Sequence, residues 1–327
     1  MLNILFMGTP DFARDSLDAL YNANYNIIGV VTNPDRPKGR GMKMIMTPVK
    51  EYALQKNIPV YQPEKIKENT EILEILKNLN PDIICVVAYG KMLPKEILEL
   101  PKNGCINVHA SLLPKYRGAA PIQWAIINGE KKTGVATMYM DEGMDTGDVI
   151  LTQEVEIDED ITTGELWNQL AGLGGKLLAE TLEKIKNGTA TRTKQGENFT
   201  HAPMLNKEMA RINWEEKSAI EIKNLVRGLN PIMGAYVELD GKKLKFWKVD
   251  VIDIEEFLKT HQDFAEYGTR VKNLEPGTIV YIDEKEGMLI KAKDNLISVL
   301  EIQAENSKRM PISDFLRGNK INVGEIL

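Results

Sequence analysis

The sequence has few of the residues that build disulfide frameworks and metal sites. Its 327 residues include two cysteines, Cys85 and Cys105, and three histidines. Both cysteines lie in apolar, strand-like segments, so we expect free buried thiols and a reducing compartment, the cytoplasm. No group of cysteines and histidines has the spacing of a zinc site, and no metal is therefore expected.

Long hydrophobic runs are also missing. The run at Ile83–Ala88 is far shorter than the roughly 20 residues that cross a bilayer, which excludes a membrane-spanning function. The segment after Met1 has neither a basic leader nor a cleavage motif, and we expect it to form a first buried strand instead of a signal peptide.

The order of apolar segments predicts an α/β fold with two domains. Up to Lys186, short strands alternate with helices, and strands such as Ile83–Ala88 are apolar on both faces. This pattern is typical of a doubly wound, Rossmann-like parallel sheet. Polar residues from Thr189 to Pro203 indicate a linker, and the short strands that follow predict a smaller β-barrel of the oligonucleotide-binding (OB) type. We place the catalytic domain at 1–189, the linker at 190–205 and the C-terminal β-barrel at 206–327.

The first strand-to-helix turn does not match a dinucleotide-binding motif. It has Gly8 but lacks the second and third glycines of Gly-x-Gly-x-x-Gly, which makes a nicotinamide or flavin cofactor improbable. Taken alone, the turn also fits a simple helix start, with Thr9 as the cap and Pro10 in the first turn.

A strand that ends in Asn107-Val108-His109 carries the first candidate chemistry. Residues two apart on a strand project from one face, so the Asn107 amide and the His109 imidazole lie together. At the carboxyl end of a parallel strand they occupy the place where open α/β sheets bind ligands. An amide donor beside an imidazole suits oxyanion stabilisation and proton transfer. The alternative is a buried pair that only satisfies the end of the strand.

A glycine-rich acidic loop follows at 140–148. A carboxylate in it, such as Asp145, could orient His109 and accept a proton from an attacking amine. The alternative is a solvated turn; calcium is excluded because the spacing of an EF-hand loop is missing.

The net charge of −6 argues against a nucleic-acid partner, but the charge is unevenly distributed. No acid occurs between Arg36 and Lys50, and the prolines and glycines of the basic segment Arg36–Lys43 predict a flexible loop. Such a loop either is merely solvated or wraps a polyanion.

These motifs together resemble the folate-dependent formyltransferase family. The resemblance rests on Asn107 and His109, Ser111-Leu112-Leu113-Pro114, Arg117-Gly118 with Pro121, and Asp145-Thr146-Gly147. The turn Gly8–Phe12, the segment Pro34–Gly41 and the second domain are similar to the members of the family that act on methionyl-tRNA. The match runs along nearly the whole chain.

The resemblance implies a reaction and its residues. The reaction is transfer of the formyl group of 10-formyltetrahydrofolate to the α-amino group of methionyl-initiator tRNA, without a metal, a membrane or an obligate protein partner. The catalytic residues are Asn107, His109 and Asp145. The folate-binding residues are Ser111, Leu112, Leu113, Pro114, Ala88, Tyr89, Gly90, Leu93 and Asp141. The residues that bind tRNA or methionine are Thr9, Pro10, Phe12, Arg36, Lys38, Arg40 and Lys43, with further tRNA contacts from the β-barrel.

The second domain departs from the family pattern at two places. The segment Asn230-Pro231-Ile232 lacks the tryptophan that commonly follows Asn-Pro, and 255–273 resembles an insertion. Three alternatives to the main interpretation remain at this point. They are a formyltransferase for a small amine such as an amino-sugar nucleotide, a formylfolate hydrolase, and a non-enzymatic RNA-binding protein.

Overall fold

A computed structural model describes residues 2–38, 42–239, 241–260, 271–283 and 287–327, with the side chain of Lys38 left out. The chain forms two compact units. The first contains 1–122, 132–156 and 165–204, and the second contains 123–131, 157–164 and 205–327. Within the described ranges, no helix is both long and apolar enough to cross a membrane.

The first unit is built on a seven-stranded sheet, which confirms the predicted α/β class. Its strands are β1 (Asn3–Gly8), β2 (Asn26–Val31), β5 (Val60–Tyr61), β6 (Ile83–Val87), β7 (Cys105–His109), β8 (Lys132–Tyr139) and β9 (Val149–Glu156). The order across the sheet is β5-β2-β1-β6-β7-β8-β9. The first five strands are parallel, whereas β8 and β9 add to the sheet in antiparallel fashion.

The helices of the first half start mostly at residues that suit a helix terminus. They are α1 (Asp11–Asn22), α2 (Pro48–Gln55), α3 (Thr70–Leu79), α4 (Lys95–Leu98), α5 (Pro121–Ile127) and α6 (Thr163–Lys186). Thr47 caps α2 by accepting a hydrogen bond from the amide of Lys50, and Asn69 caps α3 in the same way. The apolar faces of α3 and α4 pack with β1 and β6 in one core, which contains Leu5, Ile72, Ile84 and Ile97.

The predicted cap of α1 is wrong. The N-cap residue is Pro10, which has no side-chain capping bond. The Thr9 hydroxyl instead accepts a hydrogen bond from the Asn33 side chain at 3.0 Å, because the extended Pro10 separates it from the helix. Gly8 is required here for packing, since a Cβ atom would lie 2.6 Å from Ala13 Cβ and 2.8 Å from the Val87 carbonyl.

A two-stranded hairpin occupies the segment that was predicted as a flexible basic loop. It pairs β3 (Arg36–Lys38) with β4 (Lys43–Ile45), and the residues 39–41 between them lie outside the described part of the chain. Pro37 lies opposite Met44 in this ladder. The sequence pattern misses the hairpin because its strands are short and carry proline and charge instead of alternating apolar residues.

The second unit contains an antiparallel sheet in the region that was predicted as a β-barrel of the OB type. Its strands are β10 (Ala235–Leu239), β11 (Lys242–Ile252), β12 (Ile279–Asp283), β13 (Gly287–Lys291), β14 (Leu296–Ala304) and β15 (Met310–Pro311). They follow the order β10-β11-β14-β13-β12, with β15 on β14. The α-helices whose bounds lie in the described ranges of this unit are α7 (Ala219–Gly228), α8 (Ile254–Thr260) and α9 (Ile312–Gly318). The core is formed by residues such as Leu225, Phe246, Ile290 and Ile302.

Candidate active site

Strand β7 places the Asn107 and His109 side chains on one face near the carboxyl end of the parallel strands. Asn107 lies between Val86 of β6 and Met138 of β8, and His109 pairs with Ala136 of β8. Both residues are almost completely buried, since Asn107 is 9% exposed and His109 is 6% exposed. Within the described ranges, the Asn107 amide has no hydrogen-bonding partner, so its donor is available to a bound molecule.

The two ring nitrogens of His109 have different surroundings. Nε2 lies 2.8 Å from the backbone carbonyl of Tyr116, which can only accept, so Nε2 carries a hydrogen and donates it. In the neutral imidazole this leaves Nδ1 as the basic nitrogen. Nδ1 lies 3.7 Å from the Asp145 Oδ2 atom. In this arrangement, Nδ1 of His109 is therefore the ring nitrogen that can exchange a proton with a bound molecule.

The acidic loop brings Asp145 to His109, as predicted. Asp145 has a φ of +54°, a left-handed conformation that costs a non-glycine residue free energy. Its Oδ2 accepts a hydrogen bond of 2.8 Å from the Gly118 amide. Gly147 is essential to the loop, because a Cβ atom there would lie 1.7 Å from the Tyr139 carbonyl oxygen.

Most of the predicted folate-binding residues lie on three loops. Ser111 is fully buried, and its hydroxyl donates to the Lys115 carbonyl at 2.6 Å. The Ser111 side chain therefore stabilises the turn that contains it. Leu113 packs against Ala136 and Met138, next to the cis peptide bond that leads to Pro114. The half-buried Leu112 is also on this turn.

The loop that follows β6 presents backbone at Ala88 and Gly90. Both residues are exposed and have positive φ values, and nothing lies within 4 Å of a Cβ atom built on Gly90. Tyr89 and Leu93 are instead buried in the core. Burial raises the pKa of Tyr89 to about 12. On the acidic loop, exposed Asp141 accepts hydrogen bonds from the Gly143 amide and the Thr146 hydroxyl, which close its own turn.

The residues predicted to contact methionine or tRNA divide into two groups. Thr9 and Pro10 are half-buried at the end of β1, whereas Phe12 is 3% exposed and packs edge-on against Trp167 at 5.3 Å. On the hairpin, Arg36 is exposed and pairs with Glu64 at 3.1 Å, and Lys43 is exposed. Lys38 is on β3, and Arg40 lies outside the described residues.

The basic surface is smaller than the sequence indicates. Lys50 belongs to no open cationic patch, because its ammonium lies 2.6 Å from the Asp35 carboxylate and both side chains are mostly buried. Hydrogen bonds from Lys50 and Gln62 lower the pKa of Asp35, which keeps this carboxylate charged and the pair neutral overall. The sequence pattern missed the pair because Asp35 lies just before the acid-free segment.

Two further residues complete the surroundings of Asp145, and the sequence analysis assigned neither of them a role in the site. Arg117 is 9% exposed, and its guanidinium donates to the Gln195 side-chain oxygen at 2.7 and 3.0 Å. Gln195 lies in the segment that was interpreted as a linker, where nothing in the composition distinguishes it. In the described ranges, no three His, Cys, Asp or Glu side chains are arranged to hold a metal ion.

The chain is similar to known proteins over nearly its whole length. The family model described as formyl transferase matches residues 2–182, and the model of the formyl transferase C-terminal domain matches 204–320. A methionyl-tRNA formyltransferase of Clostridioides difficile is 50% identical over 327 residues, which is all of both chains. One from Caldanaerobacter subterraneus is 49% identical, again over both full chains.

Solved structures with the same fold are more distant in sequence. The sugar 3N-formyltransferase WlaRD is 20% identical with a TM-score of 0.64, over 94% of this chain and 99% of that one. HypX from Aquifex aeolicus, in complex with tetrahydrofolic acid, is 16% identical with a TM-score of 0.60 and matches all of this chain but 51% of its own. The family models and the full-length relatives, together with the Asn107, His109 and Asp145 arrangement, place the chain in the formyltransferase family, among the methionyl-tRNA formyltransferases.

Proposed function

We propose that the chain transfers the formyl group of 10-formyltetrahydrofolate to the α-amino group of methionine on the initiator tRNA, in the cytoplasm. The observation that carries this proposal is the contact of His109 Nδ1 with Asp145 Oδ2 at 3.7 Å, two residues along β7 from the amide of Asn107. Full-length relatives at 50% and 49% identity, both named methionyl-tRNA formyltransferase, favour tRNA over an amino-sugar nucleotide as the acceptor.

The residues present fit a folate as the formyl donor. The Ala88–Gly90 loop offers exposed backbone groups and open space, as a flat heteroaromatic ring with several hydrogen-bonding edges requires. The turn with Leu112 and Leu113 adds apolar contact surface next to β8. On this proposal the formyl carbon lies near Asn107, and the leaving nitrogen of the folate lies within reach of His109.

The reaction begins when the free α-amine of methionine attacks the formyl carbon. An α-amino group has a pKa of about 8, so a substantial fraction is unprotonated near neutral pH. Attack gives a tetrahedral intermediate, and the Asn107 amide donates a hydrogen bond to its oxyanion. The oxygen returns its electron pair as the bond between carbon and the folate nitrogen breaks.

One proton moves from the attacking amine to the leaving nitrogen. His109 Nδ1 is the acceptor, because Nε2 already donates to the Tyr116 carbonyl. The Asp145 carboxylate stabilises the imidazolium that forms, and Nδ1 then passes the proton to the folate nitrogen. The balance is one N–C bond formed and one broken, with no redox change.

The experiment that tests the proposal measures formyl transfer from 10-formyltetrahydrofolate to methionylated initiator tRNA. Free methionine and methionylated elongator tRNA are the matched acceptors. Transfer to the initiator alone supports the proposal. Turnover of the folate without formylated tRNA would instead indicate a small amine or water as acceptor, and no turnover would indicate an RNA-binding protein.

A further inference from the structure

The segment 193–202 lies against the loop that follows the catalytic strand β7. Thr193 forms two backbone hydrogen bonds of 2.9 Å with Val149. Further along, the Arg117 amide donates to the Thr200 carbonyl at 2.8 Å, and the Ala202 amide donates to the Arg117 carbonyl at 2.7 Å. These bonds fix both ends of the segment on the first unit.

Between these ends, the Gln195 side chain binds two parts of the candidate active site at once. Its Nε2 donates to the backbone carbonyls of Asp145 at 2.9 Å and Gly147 at 2.8 Å. Its oxygen accepts both hydrogen bonds from Arg117. A guanidinium can only donate and a carbonyl can only accept, so the network determines which end of the amide is which.

Arg117 stands between the two groups that hold the catalytic pair. The preceding residue, Tyr116, presents the carbonyl that binds His109 Nε2, and the following residue, Gly118, donates its amide to Asp145 Oδ2. Arg117 itself is held by Gln195 and by the Phe199 ring, 4.7 Å from its guanidinium. A shift of Arg117 would therefore move the hydrogen-bonding partners of both His109 and Asp145.

We propose that Gln195 is a positioning residue for formyl transfer, which locks the Asp145 loop and the Tyr116–Gly118 backbone into one arrangement. Gln195 acts through Asp145 and His109, and this role rests on the proposed function of that pair. Asp145 needs such support because its φ of +54° is unfavourable without bonds that hold it.

The first test compares Gln195→Ala and Gln195→Glu with the control Glu197→Ala, an exposed position on the same segment. Gln195→Ala removes all four hydrogen bonds. Gln195→Glu keeps the Arg117 contact but places an acceptor against the carbonyls of Asp145 and Gly147. We expect both Gln195 variants to lower kcat by about 10–100-fold, since small misplacements of catalytic groups cost rates of this order. The KM values of folate and tRNA should change by less than about threefold, and Glu197→Ala should match the wild type.

The second test is a double-mutant cycle with Asp145→Asn, measured in single turnovers. If Gln195 acts through Asp145, Gln195→Ala should lower the rate by less than about threefold in the Asp145→Asn background. A loss in that background as large as in the wild type would overturn the proposal, and so would a wild-type kcat in Gln195→Ala. If Gln195→Ala unfolds at a lower temperature, Gln195→Glu supplies the comparison because it keeps the Arg117 contact.

The same assay separates this inference from the proposed function. A wild-type protein that transfers no formyl group to tRNA contradicts the function. A wild-type protein that does so, with unaltered turnover in either Gln195 variant, contradicts only the positioning role.

Discussion

At the scale of single residues, the chemistry depends on which nitrogen of His109 is free. The Tyr116 carbonyl binds Nε2 and so keeps the hydrogen there, which points the basic nitrogen at the side of Asp145. Second partners of this kind fix a histidine tautomer in many enzymes. The hydrogen bond thus determines which nitrogen of a neutral His109 ring can accept a proton.

We expect substitutions of Asn107 and Asp145 to lower activity for different reasons. Asn107→Ala should lower kcat by about 10²–10³-fold through loss of an oxyanion donor. Asp145→Asn can still accept the Gly118 hydrogen bond but carries no charge, and we expect a loss of at least about 10²-fold. Steady-state kinetics on variants with unchanged melting temperatures measures this. If Asp145→Asn had the kcat of the wild type, the negative charge of Asp145 would not be required for catalysis.

The two cysteines should be inert in the folded protein. Burial raises the pKa of Cys105 to about 12 and also raises that of Cys85, so both remain thiols at neutral pH. Because the thiolate is the reactive form, a thiol reagent should label neither residue in native protein and both in denaturant. Mass spectrometry after timed labelling measures the reaction, and rapid labelling of native protein at pH 7 would contradict the burial of these strands.

At the scale of elements, helix α6 packs one glycine tightly and leaves another open. A Cβ atom at Gly175 would lie 2.9 Å from Ala19 Cβ and 3.1 Å from the Asp15 carbonyl of α1, whereas nothing lies within 4 Å at exposed Gly172. We expect Gly172→Ala to raise the free energy of unfolding by up to about 1 kcal/mol through helix propensity. Gly175→Ala should lower it by about 1–3 kcal/mol. Urea unfolding measures both, and equal effects would mean that α1 and α6 do not pack as described.

Sequence patterns predict elements where burial is regular along the chain. The apolar pattern predicts a strand at Cys105–His109 and a helix at Thr163–Lys186 that ends before Asn187-Gly188, and β7 and α6 have these bounds. The antiparallel direction of β8 and β9 was not predicted, since a buried strand has the same residue pattern in either direction.

In the candidate site, too, features that depend on neighbouring residues follow from the sequence, whereas contacts between residues far apart in the chain do not. The positions of Asn107 and His109 follow from the period of one strand, and the contact of His109 with Asp145 was proposed from residue chemistry. Gln195 was missed because its contacts lie 50 and 78 residues away in the chain. The pairing of Lys50 with Asp35 was also missed, because it depends on where the first turn of α2 places Lys50 relative to a residue 15 positions earlier.

At the scale of the whole molecule, a protein with a net charge of −6 must bind a polyanion through a local surface. We propose that the hairpin with Arg36 and Lys43 contributes to such a surface in the first unit. We expect Lys43→Ala to raise the KM of tRNA and to reduce the slope of log affinity against log salt by about 1. The KM of folate should not change.

The matched control for this prediction is Lys67→Ala, an exposed lysine that is not part of the hairpin. Titrations of tRNA binding at several salt concentrations compare the two variants. An equal effect of Lys43→Ala and Lys67→Ala would show that the hairpin contributes only to the general charge. A rise in the KM of folate for Lys43→Ala would show that the hairpin belongs to the folate site.

The path of the chain through its two compact units restricts how such proteins can recombine. The loop 157–164 belongs to the second unit although it precedes most of α6. There Arg227 donates to the carbonyls of Asp158 and Ile161, and the Thr163 hydroxyl donates to the Gly228 carbonyl. A gene fusion that exchanged everything after residue 205 would leave these early groups facing a foreign partner. We therefore expect a functional chimera to need the 157–164 loop from the same parent as α7.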